Sequence, residues 1–124
     1  MASRPLIPPH KVVDAGDMSD DITSDVTVIQ NITRIGYQVV WSAGSTPVGT
    51  VTVEVSNDYS QNGDGSERNA GSWTAVAGIS ASVSGNSGNG YIDIADISAY
   101  AIRLVYTRAS GSGTLDVTIC AKVA

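Results

Sequence analysis

The sequence is short of the residues on which disulfides, zinc centres and most hydrolytic enzymes depend. It has one cysteine, Cys120, and one histidine, His10, in 124 residues. A single cysteine cannot form an internal disulfide, and one histidine with one cysteine cannot supply a His/Cys zinc site. His10 lies between Pro9 and Lys11 near the start of the chain, a poor place to hold a catalytic base in position. We therefore predict no enzyme activity, no metal site and no cofactor.

Positive charge and long apolar runs are also scarce. Seven Lys and Arg residues stand against twelve Asp and Glu residues, which gives a net charge of -5. The basic residues are scattered, whereas nucleic-acid binding needs them clustered. The sequence contains no run of 18 apolar residues, so it gives no indication of a membrane-spanning segment. The first twenty residues lack the apolar segment of a secretory signal. We expect synthesis in a cytoplasm, with no nucleic-acid and no membrane partner.

Phenylalanine is absent, and charged residues make up only 15% of the chain. Gly, Ser, Thr and Val are abundant. β-Branched residues suit strands, whereas Gly and Ser lower helix stability, so the composition favours short strands joined by glycine-rich turns. A chain of this length buries roughly two-thirds of its unfolded surface as one domain. The composition predicts an all-β domain that needs no covalent staple.

Residues 100–124 carry the clearest strand pattern. Ile102, Leu104 and Tyr106 alternate with polar or smaller residues, and a similar alternation begins at Leu115. This period of two predicts two strands, each with one apolar face. Because the intervening segment RASGSG (108–113) is rich in Gly and Ser, we predict that the chain reverses there as an antiparallel hairpin. Its apolar face would need a second sheet.

The same design occurs in residues 32–56. Ile35, Tyr37, Val39 and Trp41 alternate with smaller or polar residues, the segment AGSTPVG (43–49) follows, and valines then alternate over 51–55. This pattern predicts a second hairpin. Trp41 and Tyr106 are in phase with the aliphatic residues, so we expect both to fill the core.

The remaining segments complete a strand-rich fold. We predict strands at 26–29, 73–76, 79–84 and 91–94, and a helical turn or tight corner at 95–99. Turns every 8 to 12 residues are typical of a sandwich. The prediction is an antiparallel β-sandwich of jelly-roll or immunoglobulin-like type, with about eight strands over residues 17–124 and an extended N-terminal arm over 1–16.

The predicted arm is defined by its prolines. Pro5, Pro8 and Pro9 fix φ and remove backbone donors, so this segment should be extended. One interpretation is a frayed terminus. The other interpretation is that this stiff segment, with Leu6 and Ile7 between its prolines, binds to a neighbouring subunit.

Two polar segments could bind a ligand. Residues 57–72 place Asp58, Ser60, Asn62 and Asp64 at calcium-loop spacing, although Asn69 stands where a bidentate Glu belongs, so an ordinary turn-rich loop is the favoured interpretation. The five Asp residues within 14–25 are spread too widely to converge on one ion and indicate a solvated face.

Two aromatic residues, Tyr59 and Trp73, flank the loop 57–72. Because they flank this polar loop, whereas Trp41 and Tyr106 are in phase with the aliphatic residues, we expect Tyr59 and Trp73 to be exposed. They are our candidates for contact with a glycan or a protein.

Four segments resemble a group of small β-sandwich virion proteins found in tailed-bacteriophage structural gene clusters. These segments are MSDDITSD (18–25), PVGTVTVEVSNDY (47–59), GSW (71–73) and IRLVYTRASGSGTL (102–115). The resemblance implies a virion structural protein located in the virion, above all a capsid decoration protein. It further implies binding to the major capsid protein or other virion proteins, homo-oligomers with a trimer favoured, and no catalytic residues.

An alternative belongs to another functional class. The chain could be a carbohydrate-binding module, or an adaptor or attachment component of a phage neck, tail or fibre, that uses Tyr59, Trp73 and the neighbouring loops. Binding of glycans on an array, abolished by Trp73→Ala, would distinguish it from capsid decoration.

Overall fold

The computed structural model describes residues 5–30 and 32–122, although the side chains of Pro5 and Leu6 lie outside this description. These ranges contain nine strands: β1 (Pro5–Asp17), β2 (Ile22–Thr23), β3 (Thr27–Val28), β4 (Arg34–Ser56), β5 (Ser60–Gln61), β6 (Glu67–Asn69), β7 (Thr74–Val83), β8 (Gly88–Ala95) and β9 (Ala101–Lys122). Across the described ranges there is no helix, and therefore none long and apolar enough to cross a membrane.

Two long strands form the centre of the fold. β4 has 23 residues and β9 has 22. They pair antiparallel along nearly their whole lengths, from Arg34 opposite Lys122 to Ser56 opposite Ala101. Alternating burial along both strands follows from their period-two sequence, as predicted.

The two predicted hairpins are wrong. Tyr106 pairs with Val51, and Leu115 pairs with Trp41, so the two halves of β9 pair with β4 and not with one another. The glycine- and serine-rich segments 43–49 and 108–113 bend the paired strands without reversing them. Register shifts fall here, and Ala43, Thr46 and Gly111 adopt positive φ. These two segments together form what we call the corner, a bend at which β4 and β9 change direction while they remain paired. A segment rich in Gly and Ser suits such a corner as well as a reverse turn, because both need flexible backbone and small side chains.

The corner divides one hydrogen-bonded sheet of seven strands into two layers. In the first layer, β1 and β4 flank the second half of β9, and β8 pairs with the first half of β4. In the second layer, β2 and β3 pair with the first half of β9, and β7 pairs with the second half of β4. The all-β antiparallel sandwich is thereby confirmed.

The two layers enclose a single apolar core. The fully buried side chains of the first layer include Ile35, Tyr37 and Ile119, and those of the second include Leu104 and Tyr106, all in one contiguous cluster. Trp41 is 7% exposed in the same cluster, so the expectation that Trp41 and Tyr106 fill the core is confirmed. Burying each such side chain contributes about 1.5–3 kcal/mol.

Residues of the predicted arm are extended, but from Pro5 onward they form an edge strand of the first layer. β1 pairs with β9 through several register shifts, and Val12 and Val13 are buried in the core. Ile7 is partly buried against that core, while Pro8 and Pro9 are exposed. Proline is tolerated on an edge strand because it need not donate to a neighbour, and it discourages further strand pairing there.

Two local predictions are also wrong. Residues 95–99 form no helical turn; instead Asp96 takes a positive φ of 57° at a corner. The separate strands predicted at 73–76 and 79–84 are one strand, β7, in which Gly78 takes a φ of 77° and the pairing with β4 shifts register. Gly78 separates the two predicted segments in the sequence, but in the structure it lies at a bulge within one continuous strand.

Candidate interaction site

The polar segment 57–72 folds around Asp58. Its Oδ1 accepts hydrogen bonds from the Ser72 N–H and from the Ser56 hydroxyl, both at 2.7 Å. The Ser56 hydroxyl oxygen accepts the Tyr59 N–H at 3.2 Å. The Ser72 N–H, followed by the Ser56 hydroxyl, lowers the pKa of the Asp58 carboxyl. These bonds tie the end of the segment back to its start.

The carboxylates at calcium-loop spacing are engaged in the turns of this segment. Asp64 Oδ1 accepts the Ser66 hydroxyl at 2.6 Å and the Ser66 N–H at 3.0 Å, and these two hydrogen bonds, the hydroxyl first, lower the pKa of Asp64. The Asn62 side-chain amide donates to the Ser66 hydroxyl oxygen at 3.0 Å. In the part of the chain that the structure describes, no three His, Cys, Asp or Glu side chains are placed to hold a metal ion. The geometry therefore favours the turn-rich loop.

Tyr59 and Trp73 come together beneath this loop. Their ring centroids lie 5.7 Å apart with the planes tilted by 55°. Tyr59 is only 6% exposed, and its hydroxyl oxygen accepts the Gln61 side-chain amide at 3.0 Å. Trp73 is partly buried, and its indole N–H donates to the Ala70 carbonyl at 2.9 Å. The expected exposure of Tyr59 is therefore wrong, because the tied loop folds its ring inward.

Arg103 completes the cluster. Its guanidinium carbon lies 4.3 Å from the centroid of the Trp73 ring, a cation–π contact. Arg103 Nη2 and Nε also donate to Glu54 Oε1 at 2.7 and 2.8 Å. Glu54 and Arg103 lie directly opposite each other on β4 and β9. Sequence reasoning missed both residues, because opposite charges at these positions become a signal only once β4 is paired with β9.

The proline-rich candidate site lies on the outer edge of the first layer. The His10 ring Nδ1 lies 3.1 Å from the Pro8 carbonyl oxygen. Further along β1, Lys11 pairs with Asp116 on β9 at 3.2 Å, and the Ala15 N–H donates to the same Asp116 oxygen at 2.9 Å. Contacts predicted for the Pro5 and Leu6 side chains lie outside the described structure. The structure does not bring this edge together with Tyr59 and Trp73.

A further feature, missed from the sequence, lies on the outward face of the first layer. A shallow cavity of about 250 Å³ is lined by Arg34, Gly36, Tyr91, Asp93 and Lys122, among others. The Tyr91 hydroxyl lies over Gly36, where any Cβ would collide with it. Tyr91 is 64% exposed, the largest exposed apolar side chain found in the described ranges. The signal in the sequence was Gly36, which interrupts the outward-facing residues of β4.

The fold occurs in viral and prophage proteins. No family model matches the chain, and no curated protein matches its sequence. Among solved structures, the chain is similar to the SPBc2 prophage-derived protein YomS, with a TM-score of 0.54, 9% identity and 97% coverage of both chains. It is also similar to a chain in the structure of infectious bursal disease virus Gx strain, with a TM-score of 0.55 and 15% identity. That match covers 97% of this chain and 33% of the viral one.

Proposed function

We propose that the protein is a structural component of a tailed-phage virion, and specifically a capsid decoration protein that binds the major capsid protein and self-associates on the particle. The observation that supports this most is the end-to-end match of its fold with the prophage-derived chain, 97% of each being covered. A body of the same extent therefore occurs as a separate prophage-encoded chain. The similarity to a segment of a viral chain points the same way.

We further propose that the protein acts by binding and not by catalysis. Asp58 and Asp64 use their carboxylates to close turns, and Asp116 holds Lys11 and a backbone amide. Glu54 is paired with Arg103. Hydrogen bonds lower the pKa values of Asp58, Asp64 and Asp116, whereas a general acid at neutral pH needs a raised pKa.

The carbohydrate-binding alternative finds less support in the geometry. Stacking on a sugar needs an open aromatic face, but Arg103 lies over one face of Trp73 and Tyr59 is buried. A sugar that stacked on that face of Trp73 would have to displace a guanidinium that is also held by Glu54. The cluster is better suited to fixing the loop 57–72 on the second layer.

The test is to find the protein on particles. Gradient-purified virions of the encoding phage should contain it in many copies by quantitative mass spectrometry, and a deletion phage should give particles that lack it. Purified protein added back to those particles should then bind and cosediment. Absence of the protein from complete virions, or cosedimentation with tails separated from heads, would refute capsid decoration.

The proline-rich edge is tested by a narrow substitution. Removing residues 1–16 would take Val12 and Val13 out of the core, so truncation confuses folding with binding. Replacing the exposed Pro8 and Pro9 by serine leaves the core intact, and we expect fewer copies per particle with unchanged thermal unfolding. The control is Ser80→Ala, at an exposed position on β7. Equal occupancy of the proline variant and the control would remove this edge from the proposed interface.

A further inference from the structure

Two positive charges face each other at one end of the first layer. Arg34 on β4 and Lys122 on β9 are directly opposite in register, and both are exposed. Like charges opposite each other across strands are destabilising. Within the described residues, the ion pairs are those of Lys11 and Arg103, and neither Arg34 nor Lys122 takes part in one. The pair is therefore a local excess of positive charge on a protein whose net charge is -5.

The surroundings of this pair suit a carboxylate. The shallow cavity beside it also includes Tyr91, whose hydroxyl lies over Gly36 and can donate a hydrogen bond to an approaching group. Asp93 lines the same cavity, so the formal charges of Arg34, Lys122 and Asp93 add up to about +1. A site with this balance favours one or two carboxylates over a polyanion, because added negative charge would face Asp93.

The complementary surface lies at the opposite end of the layer. Asp20 and Asp21 form an exposed acidic corner, where Asp21 Oδ1 accepts the Arg108 N–H at 2.8 Å. Arg108 lines a shallow cavity together with these two residues, so the formal charges of the acidic corner add up to about -1, opposite to the sum at the basic pair. The first layer of β4 extends from Arg34 to Ser42 before the corner, a span of about 27 Å at the rise of an extended strand. The acidic corner cannot reach the basic pair of its own chain. It can reach that of another copy.

We infer that Arg34 and Lys122 of one copy bind Asp20 and Asp21 of the next, in a head-to-tail contact. This inference rests on the self-association in the proposed function and names its surface. In this geometry each copy turns its basic pair to one neighbour and its acidic corner to another, so the contact is heterologous and generates a closed ring or an open stack. Closure after three copies would give the trimer expected from the family resemblance. With a net charge of -5 on each copy, this local attraction must overcome a general repulsion, so added salt has two opposing effects.

Charge reversal tests the contact on the protein alone. Sedimentation velocity should show self-association of the wild type. The double variants Arg34→Glu/Lys122→Glu and Asp20→Lys/Asp21→Lys should each associate at least about tenfold more weakly. The quadruple variant, which exchanges the two patches, should recover the wild-type mass. The control Arg68→Glu reverses an exposed charge outside both patches and should associate like the wild type.

An equimolar mixture of the two double variants gives a sharper result. One variant carries acidic groups at both ends and the other basic groups, so they can assemble only in alternation. Mixed assemblies should therefore be open chains, or closed rings with an even number of copies. The mass of such a ring differs from the mass of a trimer. The Arg34→Glu/Lys122→Glu variant should keep wild-type thermal unfolding, because both side chains are exposed. The variants that carry Asp21→Lys lose the hydrogen bond to the Arg108 N–H, so they should remain folded but unfold at a slightly lower temperature.

Several results would overturn the inference. They are a wild type that stays monomeric up to about 1 mM at low salt, double variants with wild-type mass, and a folded quadruple variant that stays monomeric. None of these measurements uses virions. Loss of this contact is thus distinguishable from failure to bind the capsid, which the cosedimentation experiment reports separately.

Discussion

Ser24 continues the ladder between two short strands. β2 and β3 both pair with β9, and between them the Ser24 N–H donates to the Leu104 carbonyl at 2.9 Å. The Ser24 hydroxyl oxygen accepts the Leu104 N–H at 2.8 Å, so a side chain takes the place of a backbone carbonyl. Ser24 is 6% exposed and Leu104 is fully buried. Ser24→Ala would leave the Leu104 N–H without its acceptor.

The expected cost follows from this burial. Leaving a buried donor unsatisfied costs about 1–3 kcal/mol, and the lost oxygen is too small for a cavity to add much. With a urea m-value near 2 kcal/mol/M, the unfolding midpoint should fall by about 0.5–1.5 M. The thermal midpoint should fall by about 4 °C for each kcal/mol. Tryptophan fluorescence can report the transition, because Trp41 lies in the core.

The control for Ser24→Ala is Thr23→Ala, at an exposed position on β2. It should change stability by less than about 0.5 kcal/mol. Hydrogen exchange supplies a second readout, since the Leu104 amide should lose protection in Ser24→Ala and keep it in the control. A midpoint shift below about 0.2 M, with Leu104 still protected, would refute the role of this hydroxyl.

Three further substitutions test the core, the acidic groups and the corner. Tyr37→Phe should raise the unfolding free energy by about 1 kcal/mol or more, because the buried Tyr37 hydroxyl has no hydrogen-bond partner among residues 5–30 and 32–122; a loss of stability in urea unfolding would contradict this. The pKa of Asp116 is depressed below 3.8, so its stabilising contribution is present above that pH and is lost as the pH falls through the depressed value. Thermal unfolding measured from pH 6 to 2 should therefore show a smaller acid-dependent loss in Asp116→Asn, and identical profiles would refute the contribution. Gly111→Ala should cost more than about 1–2 kcal/mol, since φ is +78° and a Cβ would collide with the Thr46 carbonyl oxygen; Gly63→Ala, with no atom within 4 Å, is the control, and equal midpoints in urea would contradict the strained corner.

Local periodicity predicted which side chains are buried, and long-range pairing decided how the strands connect. The alternation around Tyr37 and Leu104 identified inward-facing positions, because the pleat places every second residue on one face. The same signals could not tell a hairpin from a corner. A segment such as 108–113 permits either geometry, and the choice depends on whether β9 pairs with itself or with β4.

The candidate site was also predictable from local sequence only in part, and long-range strand pairing determined the rest. Tyr59 and Trp73 were predicted from their place beside a polar loop, and the structure brings them together. Their burial depends on Arg103 and Glu54, which become neighbours only through the register of β4 with β9. The basic pair Arg34 and Lys122 was missed for the same reason, since 88 positions separate the two residues in sequence.

The shared strands make the two layers depend on one another. Each of β4 and β9 contributes one half to each layer, so separating the layers would break the same two strands at the corner. Both layers also contribute to one core cluster, so they should unfold as one cooperative unit. The loop 57–72, which is mostly exposed and bonded largely to itself, is the part best able to open alone. The basic pair and the acidic corner lie instead at opposite ends of the first layer, joined by one paired stretch of β4 and β9. Their fixed separation is what a repeating head-to-tail contact requires, because each added copy must meet the next at the same angle.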